Sequence, residues 1–350
     1  MKILSIIGTR PQFIKVSALE KAVPDSIEHE IIDTGQHYDY VLAGKFIEDL
    51  GIRTPKWNLE TYENRESIQI AKMLIGIQEV LDSYHPDHIV VYGDTNSTLA
   101  GAISSIKNKI PFSHVESGLR SRNLDMSEEQ NRIIADHMAN LRFCTNTSSI
   151  KTLISEGLSN NNYLVGDLAM ETFKSVAATI EDTAITEKFL LATIHRPSNT
   201  DNPLRLQEIM NKLGKSSLKI RLYAHPRLLS RLNEFDIKIP NIIEMHEPAG
   251  YRDFILNMKS STGIITDSGG VQKESYSLGI PTLTIRKETE WFETLEGGWN
   301  ILDSDLAMVE KSWWEQPKGN LNQNIFGEIN PANSIFKIIT NFYHKQNDKN

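Results

Sequence analysis

Short apolar runs alternate with longer segments of mixed polarity along the first half of the chain. The runs KILSIIG, HEIIDTG, HIVVYGD, PFSHVESG, LRFCTN and NYLVGD predict buried strands. Between them, apolar residues recur at helical spacing in PQFIKVSALEKAV, RESIQIAKMLIGIQEVLDSY, TNSTLAGAISSIKNK and EEQNRIIADHMA. Strands that alternate with helices in this way predict a parallel, doubly wound sheet.

The same alternation restarts in the second half of the chain. Strands are predicted at FLLATIH, IRLYAHP, NIIEMHEP, GIITDSG and IPTLTIR, and a helix at LRLQEIMNKLG. The polar segment EDTAITEK lies between the halves and is a candidate linker. A last helix, NPANSIFKIITNFYH, can pack on either half. We therefore expect an α/β protein of two halves that divide near residues 167–187.

Polar motifs follow most of the predicted strands. They are GTRP, DTGQH, GDTNS, HVESGLR, TIHRPSN, AHP and DSGG. In open α/β sheets, ligands bind at the carboxyl ends of the strands. Motifs of this kind in both halves suggest one central cleft between two domains.

The stretch TDSGGVQKES, residues 266–275, joins a predicted strand to a predicted helix. Glycines allow close approach of the backbone to a ligand, and a helix N-terminus offers free N–H groups and partial positive charge. Together these features are typical of a phosphate site. A serine N-cap with a tight turn accounts for the same residues, so this stretch by itself leaves both interpretations open.

Composition restricts the class of protein. The chain has 350 residues, a formal net charge of −8 and one cysteine, Cys144. The negative charge argues against nucleic-acid binding, and one cysteine allows no internal disulfide, which fits the cytoplasm. We find no signal peptide and no apolar run of about 18 residues, so no membrane association is expected.

Charged side chains gather in the motifs that follow strands. Each of these residues alone is more often a solvated charge or a helix cap, but their shared position after strands makes them candidates for an anion site: Arg10, Lys15, Arg120, Arg132 and the pair His195–Arg196.

Carboxylates stand in the same motifs. Asp94, Glu116 and Glu128 are candidate general acids and bases, because proton transfer needs such groups near one ligand. A role as the cap of the following helix accounts for Asp94 without catalysis. Likewise, Glu128 and Glu129 are acids in the first turn of a helix, where the helix dipole favours negative charge. For Glu116 no structural role is evident, so a functional role is favoured.

Several common sites are missing from the sequence. We find no G-x-G-x-x-G, no Walker A motif, no H-E-x-x-H pair, no thiolate cluster and no G-x-S-x-G. No cofactor and no metal are therefore expected.

Taken together, the motifs resemble the non-hydrolysing UDP-N-acetylglucosamine 2-epimerases. The matching stretches are GTRPQFIK (8–15), TGQH (34–37), VYGDTNSTLAGA (91–102), HVESGLRS (114–121), EEQNR (128–132), TIHRPSNTDNP (193–203), HPR (225–227), GYRDF (250–254) and TDSGGVQKES (266–275). They cover nearly the whole chain in order.

This resemblance implies a glycosyltransferase-B-like fold of two Rossmann-like domains with a central cleft. The domains are expected at residues 1–167 and 168–331, with a C-terminal helix at 332–345 that crosses back to the first domain. The family's homodimer is implied too.

The resemblance also implies a reaction and its residues. UDP-GlcNAc is epimerised at C2 by elimination of UDP to 2-acetamidoglucal and re-addition of UDP, in the supply of surface polysaccharide precursors. The implied catalytic residues are Asp94, Glu116, Glu128, His195 and Lys15. The implied substrate-binding residues are Arg10, Arg132, Phe254, Ser268, Gly269, Gly270 and Glu274.

The sequence departs from the family at a few positions, which leaves the sugar open. Asp39 replaces the glutamine that contacts a second UDP-GlcNAc in regulated bacterial members, and TEWFE replaces the commoner TERPE. The segments RPQFIK and GVQKE are similar to epimerases of UDP-2,3-diacetamido-2,3-dideoxyglucuronate. That epimerase activity and a non-catalytic UDP-sugar sensor are the alternatives.

Overall fold

Contacts between residues divide the chain into two units. Unit 1 comprises Met1–Ser175 and Phe326–Asn350, and unit 2 comprises Val176–Ile325. The structure is a computed structural model that describes residues 1–36, 47–181, 187–310, 312–316, 318–322, 325–326 and 330–347. His37, Asp39 and most of the expected linker lie outside these residues.

Unit 1 contains a parallel sheet of seven strands with helices between them. The strands are β1 (Lys2–Ile7), β2 (Glu28–Asp33), β3 (Trp57–Asn58), β4 (His88–Tyr92), β5 (Phe112–Val115), β6 (Leu141–Cys144) and β7 (Asn162–Leu164). The helices are α1 (Arg10–Lys21), α2 (Glu66–Tyr84), α3 (Asn96–Lys107), α4 (Ser127–Met138), α5 (Thr147–Ser155) and α6 (Leu168–Ala178). The strand order is β3-β2-β1-β4-β5-β6-β7, so the winding direction reverses between β1 and β4.

Unit 2 repeats this architecture with six parallel strands. They are β8 (Phe189–Thr193), β9 (Lys219–Tyr223), β10 (Ile243–His246), β11 (Gly263–Thr266), β12 (Thr282–Thr284) and β13 (Asn300–Leu302). The helices are α7 (Pro197–Thr200), α8 (Pro203–Leu213), α9 (Pro226–Glu234), α10 (Tyr251–Ser260) and α11 (Gly269–Leu278). The order β10-β9-β8-β11-β12-β13 places the reversal between β8 and β11. Two Rossmann-like units are thus confirmed.

The C-terminal helix α12 (Pro331–Asn347) belongs to unit 1, as expected. The Tyr343 hydroxyl lies 3.1 Å from Nδ1 of His88 on β4. Phe336 packs edge-on against His29 of β2, with ring centroids 6.3 Å apart. These aromatic side chains therefore pack α12 against the first sheet. No helix in the described ranges has the length and apolar character needed to cross a membrane.

The first segment of unit 1 ends at Ser175 in the structure, whereas the expected domain ends at residue 167. The unit continues to Ser175 because α6 is bound to it at two points. Thr172 donates to the carbonyl of Ile14 at 2.7 Å, and Glu171 accepts the amide of Ala332, the second residue of α12, at 2.9 Å.

Burial on both faces explains the apolar strands. In β1, Ile3, Leu4, Ile6 and Ile7 have no exposed surface, as is typical of strands covered by helices on both sides. In unit 2, Trp313 and Trp314 lie in the core, and a Cβ at Gly263 would fall 2.2 Å from Trp314. The SWWEQ segment therefore packs the core.

Candidate functional site

The loops after β1 and β4 meet at the reversal point of the first sheet. Gln12 joins them: its Oε1 accepts the Gly8 amide at 2.8 Å, and its Nε2 donates to the Tyr92 carbonyl at 2.7 Å. Gln12 is buried. Sequence analysis did not single it out, although a Gln at the third helical position after Thr is a capping-box signal. Arg10, the first residue of α1, is exposed beside this junction.

Four of the expected site residues are brought together here. Lys15 of α1 forms an ion pair with Glu116, which follows β5. Arg132 of α4 forms an ion pair with Asp94, which follows β4. The two pairs are connected, because Nη1 of Arg132 also donates to the Glu116 backbone carbonyl at 3.0 Å.

Electrostatics keep the Asp94 carboxyl ionised. Burial raises its pKa, but the positive charges of Arg132 and Lys15 outweigh burial, and the pKa lies below its ordinary value. At neutral pH, Asp94 can therefore accept a proton but has none to donate.

The residue before Asp94 is a glycine because the backbone there lies close to the Lys15 side chain. Gly93 has a φ of +66°, and a Cβ there would lie 3.2 Å from the Lys15 ammonium nitrogen. A side chain at this position would be strained and would crowd the ion pair of Lys15 and Glu116.

The third expected carboxylate, Glu128, lies one turn before Arg132 on α4. It is exposed in the first turn of α4, and within the described residues it forms no hydrogen bond or ion pair with the cluster. Its neighbour Glu129 is buried and structural. The Glu129 carboxylate accepts the amides of Ser121 and Arg122, each at 2.8 Å.

In unit 2, the stretch TDSGG lies at the reversal point between β8 and β11. Ser268 is the N-cap of α11, and its hydroxyl accepts the Val271 amide at 3.5 Å. The capping interpretation is therefore correct, and it is compatible with an anion site. A Cβ at Gly269 would lie 2.8 Å from Oε1 of Glu290, whereas one at Gly270 would meet only the Ser268 hydroxyl at 3.8 Å.

Asp267 holds the loop after β8 against this turn. Its buried carboxylate accepts the amide of His195 at 3.1 Å, the amide of Arg196 at 2.9 Å and the side-chain amide of Asn199 at 3.0 Å. Burial raises the Asp267 pKa, but these partners, His195 above all, bring it below the ordinary value. The His195 ring lies beside Asp267, with Nδ1 at 3.1 Å, and is partly exposed. Sequence analysis missed this role of Asp267.

The two remaining expected residues lie on adjacent helices. Glu274 of α11 accepts a hydrogen bond from the Tyr251 hydroxyl of α10 at 3.1 Å. Phe254, one turn further along α10, packs edge-on against Tyr223 with ring centroids 5.6 Å apart. An aromatic face and a carboxylate therefore lie near the same α10–α11 pair, an arrangement suited to a nucleoside.

Comparisons with known proteins agree with this architecture. The family model described as UDP-N-acetylglucosamine 2-epimerase matches residues 19–339. A UDP-2,3-diacetamido-2,3-dideoxy-D-glucuronate 2-epimerase from Pseudomonas aeruginosa is 38% identical, over 86% of this chain and 88% of the relative. A UDP-N-acetylglucosamine 2-epimerase homolog from Methanococcus maripaludis is 37% identical, over 97% and 100% of the two chains.

A solved structure extends the likeness to three dimensions. The Methanocaldococcus jannaschii UDP-GlcNAc 2-epimerase, crystallised in complex with UDP-GlcNAc and UDP, superposes with a TM-score of 0.88. It is 35% identical, and the match covers 97% of this chain and 99% of that one. On these findings, the chain belongs to the UDP-N-acetylglucosamine 2-epimerase family.

Proposed function

We propose that the protein interconverts UDP-GlcNAc and UDP-ManNAc by inversion at C2. The observation that carries this proposal is the double ion pair of Lys15 with Glu116 and Arg132 with Asp94 at the reversal point of the first sheet. A binding module has no need of two carboxylates held against two cations. Inversion needs proton transfer on both faces of the ring, and thus more than one such group.

The proposed route is anti elimination followed by re-addition. A carboxylate removes the C2 proton, the electrons of that C–H bond form the C1–C2 double bond, and the C1–O bond to the diphosphate breaks. UDP leaves as an anion and 2-acetamidoglucal remains. UDP then adds back at C1 while a proton is delivered to the other face of C2. Asp94, Glu116 and Glu128 are the proposed acids and bases, supported by Lys15, Arg132 and His195.

We propose that unit 2 holds the UDP. Ser268, Gly269 and Gly270 would hold the diphosphate at the N-terminus of α11, where N–H groups and the helix dipole favour an anion. Glu274 would accept the ribose hydroxyls, and Phe254 would lie beside the uracil. Arg10 would add positive charge against the leaving phosphate.

A second substrate has specific support. The 38% identical Pseudomonas aeruginosa relative is named for UDP-2,3-diacetamido-2,3-dideoxy-D-glucuronate. The same elimination and re-addition would act on that sugar, because the reaction changes only C1 and C2.

The deciding experiment is proton NMR of the purified protein with each UDP-sugar in D₂O. We expect the C2 epimer to appear with deuterium at C2 in both sugars of the pair. Release of free UDP in stoichiometric amount would instead indicate a hydrolysing enzyme. UDP binding without exchange on either substrate would indicate a sensor and refute the proposal.

The wider setting is proposed on the same family grounds. The enzyme would be a cytoplasmic homodimer that supplies ManNAc-type precursors for surface polysaccharides. The single cysteine, Cys144, allows no disulfide within the chain, which fits a reducing compartment. Sedimentation of the protein at the mass of one chain would refute the dimer.

A further inference from the structure

A buried ion pair lies directly behind the carboxylate cluster and has no part in the proposed chemistry. It joins His114 of β5 to Asp136 of α4, and neither side chain has exposed surface. Nδ1 of His114 lies 2.7 Å from Oδ1 of Asp136. On the other side of the ring, Nε2 lies 2.6 Å from the backbone carbonyl of Gly93.

Both ring nitrogens therefore face an acceptor. The Gly93 carbonyl can only accept a hydrogen bond. Oδ2 of Asp136 accepts the Gly118 amide at 3.0 Å and Nη1 of Arg120 at 2.7 Å, and the ion pair with Arg120 favours the carboxylate form. Burial raises the Asp136 pKa, but His114 and Arg120 outweigh it and hold the pKa well below its usual range. With an acceptor at each nitrogen, the ring is placed to donate a hydrogen bond from both.

The same pair holds the backbone turns that carry both candidate carboxylates. Gly93 directly precedes Asp94 and has a φ of +66°, and it is bound by His114. Gly118 lies two residues after Glu116, has a φ of +82° and is bound by Asp136. The local sequence specifies a turn with positive φ only weakly, so the geometry of such a turn depends on tertiary hydrogen bonds like these two.

The helix that carries Asp136 also carries Arg132, one turn earlier on the same face. Arg132 is the ion-pair partner of Asp94. The buried pair thus connects all three segments of the cluster: the loop after β4, the turn after β5 and the first half of α4.

We propose that His114 and Asp136 are positioning residues for Asp94 and Glu116, with a proton on both ring nitrogens of His114. It fixes the Gly93 carbonyl, while Asp136 fixes the Gly118 amide. The catalytic part of this inference rests on the proposed function, whereas the protonation state does not. A displacement of about 1 Å in a reacting group typically costs about 100-fold in rate.

The first test is nitrogen-15 NMR of the histidine rings in the wild-type protein at pH 7.5, with His114→Asn used for assignment. We expect directly bonded protons on both ring nitrogens of His114. The internal reference is His88 of the adjacent strand β4, which is equally buried. Its ring faces the hydroxyls of Tyr343 and Ser113 at 3.1 and 3.0 Å, and burial lowers its pKa to about 3. His88 should therefore be neutral. A neutral His114 would overturn the inference, whatever the variants do to turnover.

The second test separates positioning from stability. The His114→Asn amide can still donate to Asp136 but leaves the Gly93 carbonyl without its partner. We expect kcat to fall about 100-fold while the Kd for UDP, measured by calorimetry, stays at the wild-type value. The matched control, His88→Gln, removes an equally buried histidine of the same sheet and should keep the wild-type kcat.

Each outcome decides a different claim. Wild-type kcat in folded His114→Asn, or an equal loss in His88→Gln, would overturn the positioning role. A wild-type protein that turns over neither UDP-sugar would overturn the proposed function and the catalytic role of the pair together. In that case the doubly protonated state of His114 is still decided by the NMR measurement.

Discussion

Glu116 has a backbone conformation that few residues other than glycine adopt. Its φ of 69° lies in the left-handed region, which costs roughly 1–3 kcal/mol for such a residue. The surrounding structure maintains it, because the amides of Glu116 and Ser117 both donate to the Phe143 carbonyl at 3.0 Å. Strain of this kind is concentrated at functional sites, and here it aims the Glu116 carboxylate at Lys15.

At the scale of single residues, we predict the effect of replacing Glu116 by glutamine. The amide keeps the shape of the side chain but can neither accept the proton nor pair with the Lys15 ammonium. Turnover should fall by about 10²–10⁴-fold, as for loss of an essential acid or base. The Kd for UDP should be unchanged, because Glu116 is not among the residues proposed to hold UDP. NMR progress curves and UDP calorimetry measure the two quantities.

The control for Glu116→Gln is Glu79→Gln, which makes the same chemical change on the exposed face of α2. It should match the wild type in both measurements. Wild-type turnover by Glu116→Gln would remove Glu116 from the catalytic set.

At the scale of elements, helix α11 shows how the anion site is built. Its first residues follow β11 at the point where the strand order reverses, so neighbouring helices leave from opposite faces and the helix N-terminus stays open. Asp267, buried at the end of β11, fastens the β8 loop to this turn through the amides of His195 and Arg196. The turn is thus held rigid before any ligand binds.

Two glycines in this turn should respond differently to alanine. In Gly269→Ala, the new Cβ would lie 2.8 Å from Glu290 and 3.0 Å from Trp291, so stability should drop by about 1–3 kcal/mol. In Gly270→Ala, the Cβ meets only the Ser268 hydroxyl, at an ordinary contact distance of 3.8 Å, and the space around it is otherwise free of neighbours within 4 Å, so stability should be kept. If that space receives the diphosphate, UDP affinity should still fall about tenfold or more, which is about 1.4 kcal/mol.

Thermal unfolding and UDP calorimetry on both variants test this contrast. Unaltered UDP affinity in Gly270→Ala would argue against diphosphate binding at the N-terminus of α11. Wild-type stability in Gly269→Ala would show that Glu290 can move aside at little cost.

At the scale of the whole molecule, the C-terminal helix α12 packs against the sheet of unit 1, at the other end of the sequence. His88 near the N-terminal end of the sheet contacts Tyr343, 255 residues later. The helix also covers β2 through Phe336. A segment that follows unit 2 in sequence is therefore part of unit 1, and this contact depends on a buried histidine.

The His88 contact predicts a pH dependence of stability. Burial lowers the His88 pKa from 6.5 to about 3, so between these values the unfolded state binds more protons than the folded state. Stability must then fall as the pH decreases through this window. Between pH 6.5 and about 5, the His88 contribution amounts to about 2 kcal/mol. His88→Gln should lack it and show a correspondingly smaller loss.

Urea unfolding followed by circular dichroism at several pH values measures this difference. The control is His344→Gln, which removes an exposed histidine of α12 and should keep the wild-type pH dependence. An identical pH dependence in His88→Gln would show that His88 is not held neutral in the folded protein.

Local pattern was sufficient for the long elements and for the motifs. Most strands of both sheets, and helices such as α1 to α4, α8 and α12, follow from runs and periods of a few residues, since burial on both faces demands continuous apolar strands. Helices α5 and α6 were not predicted. The short strands β3 and β13 were not predicted: β3 has only two residues and carries no period, and β13 lies outside the apolar runs interpreted as strands. For Trp313 and Trp314, local sequence alone does not distinguish a core position from a ligand wall, because an aromatic side chain suits both.

By itself, the sequence determined the alternation of strands and helices, the positions of the polar motifs at strand ends and, through those motifs, the family. Only the tertiary structure decided which side chains meet. Lys15 and Glu116 are 101 residues apart, and their contact depends on the strand order β1-β4-β5. The same order brings the Gly93 carbonyl to His114, and the helix after it brings Asp136. The physical reason is that a local apolar pattern shows which face of a strand is buried but not which strand lies beside it.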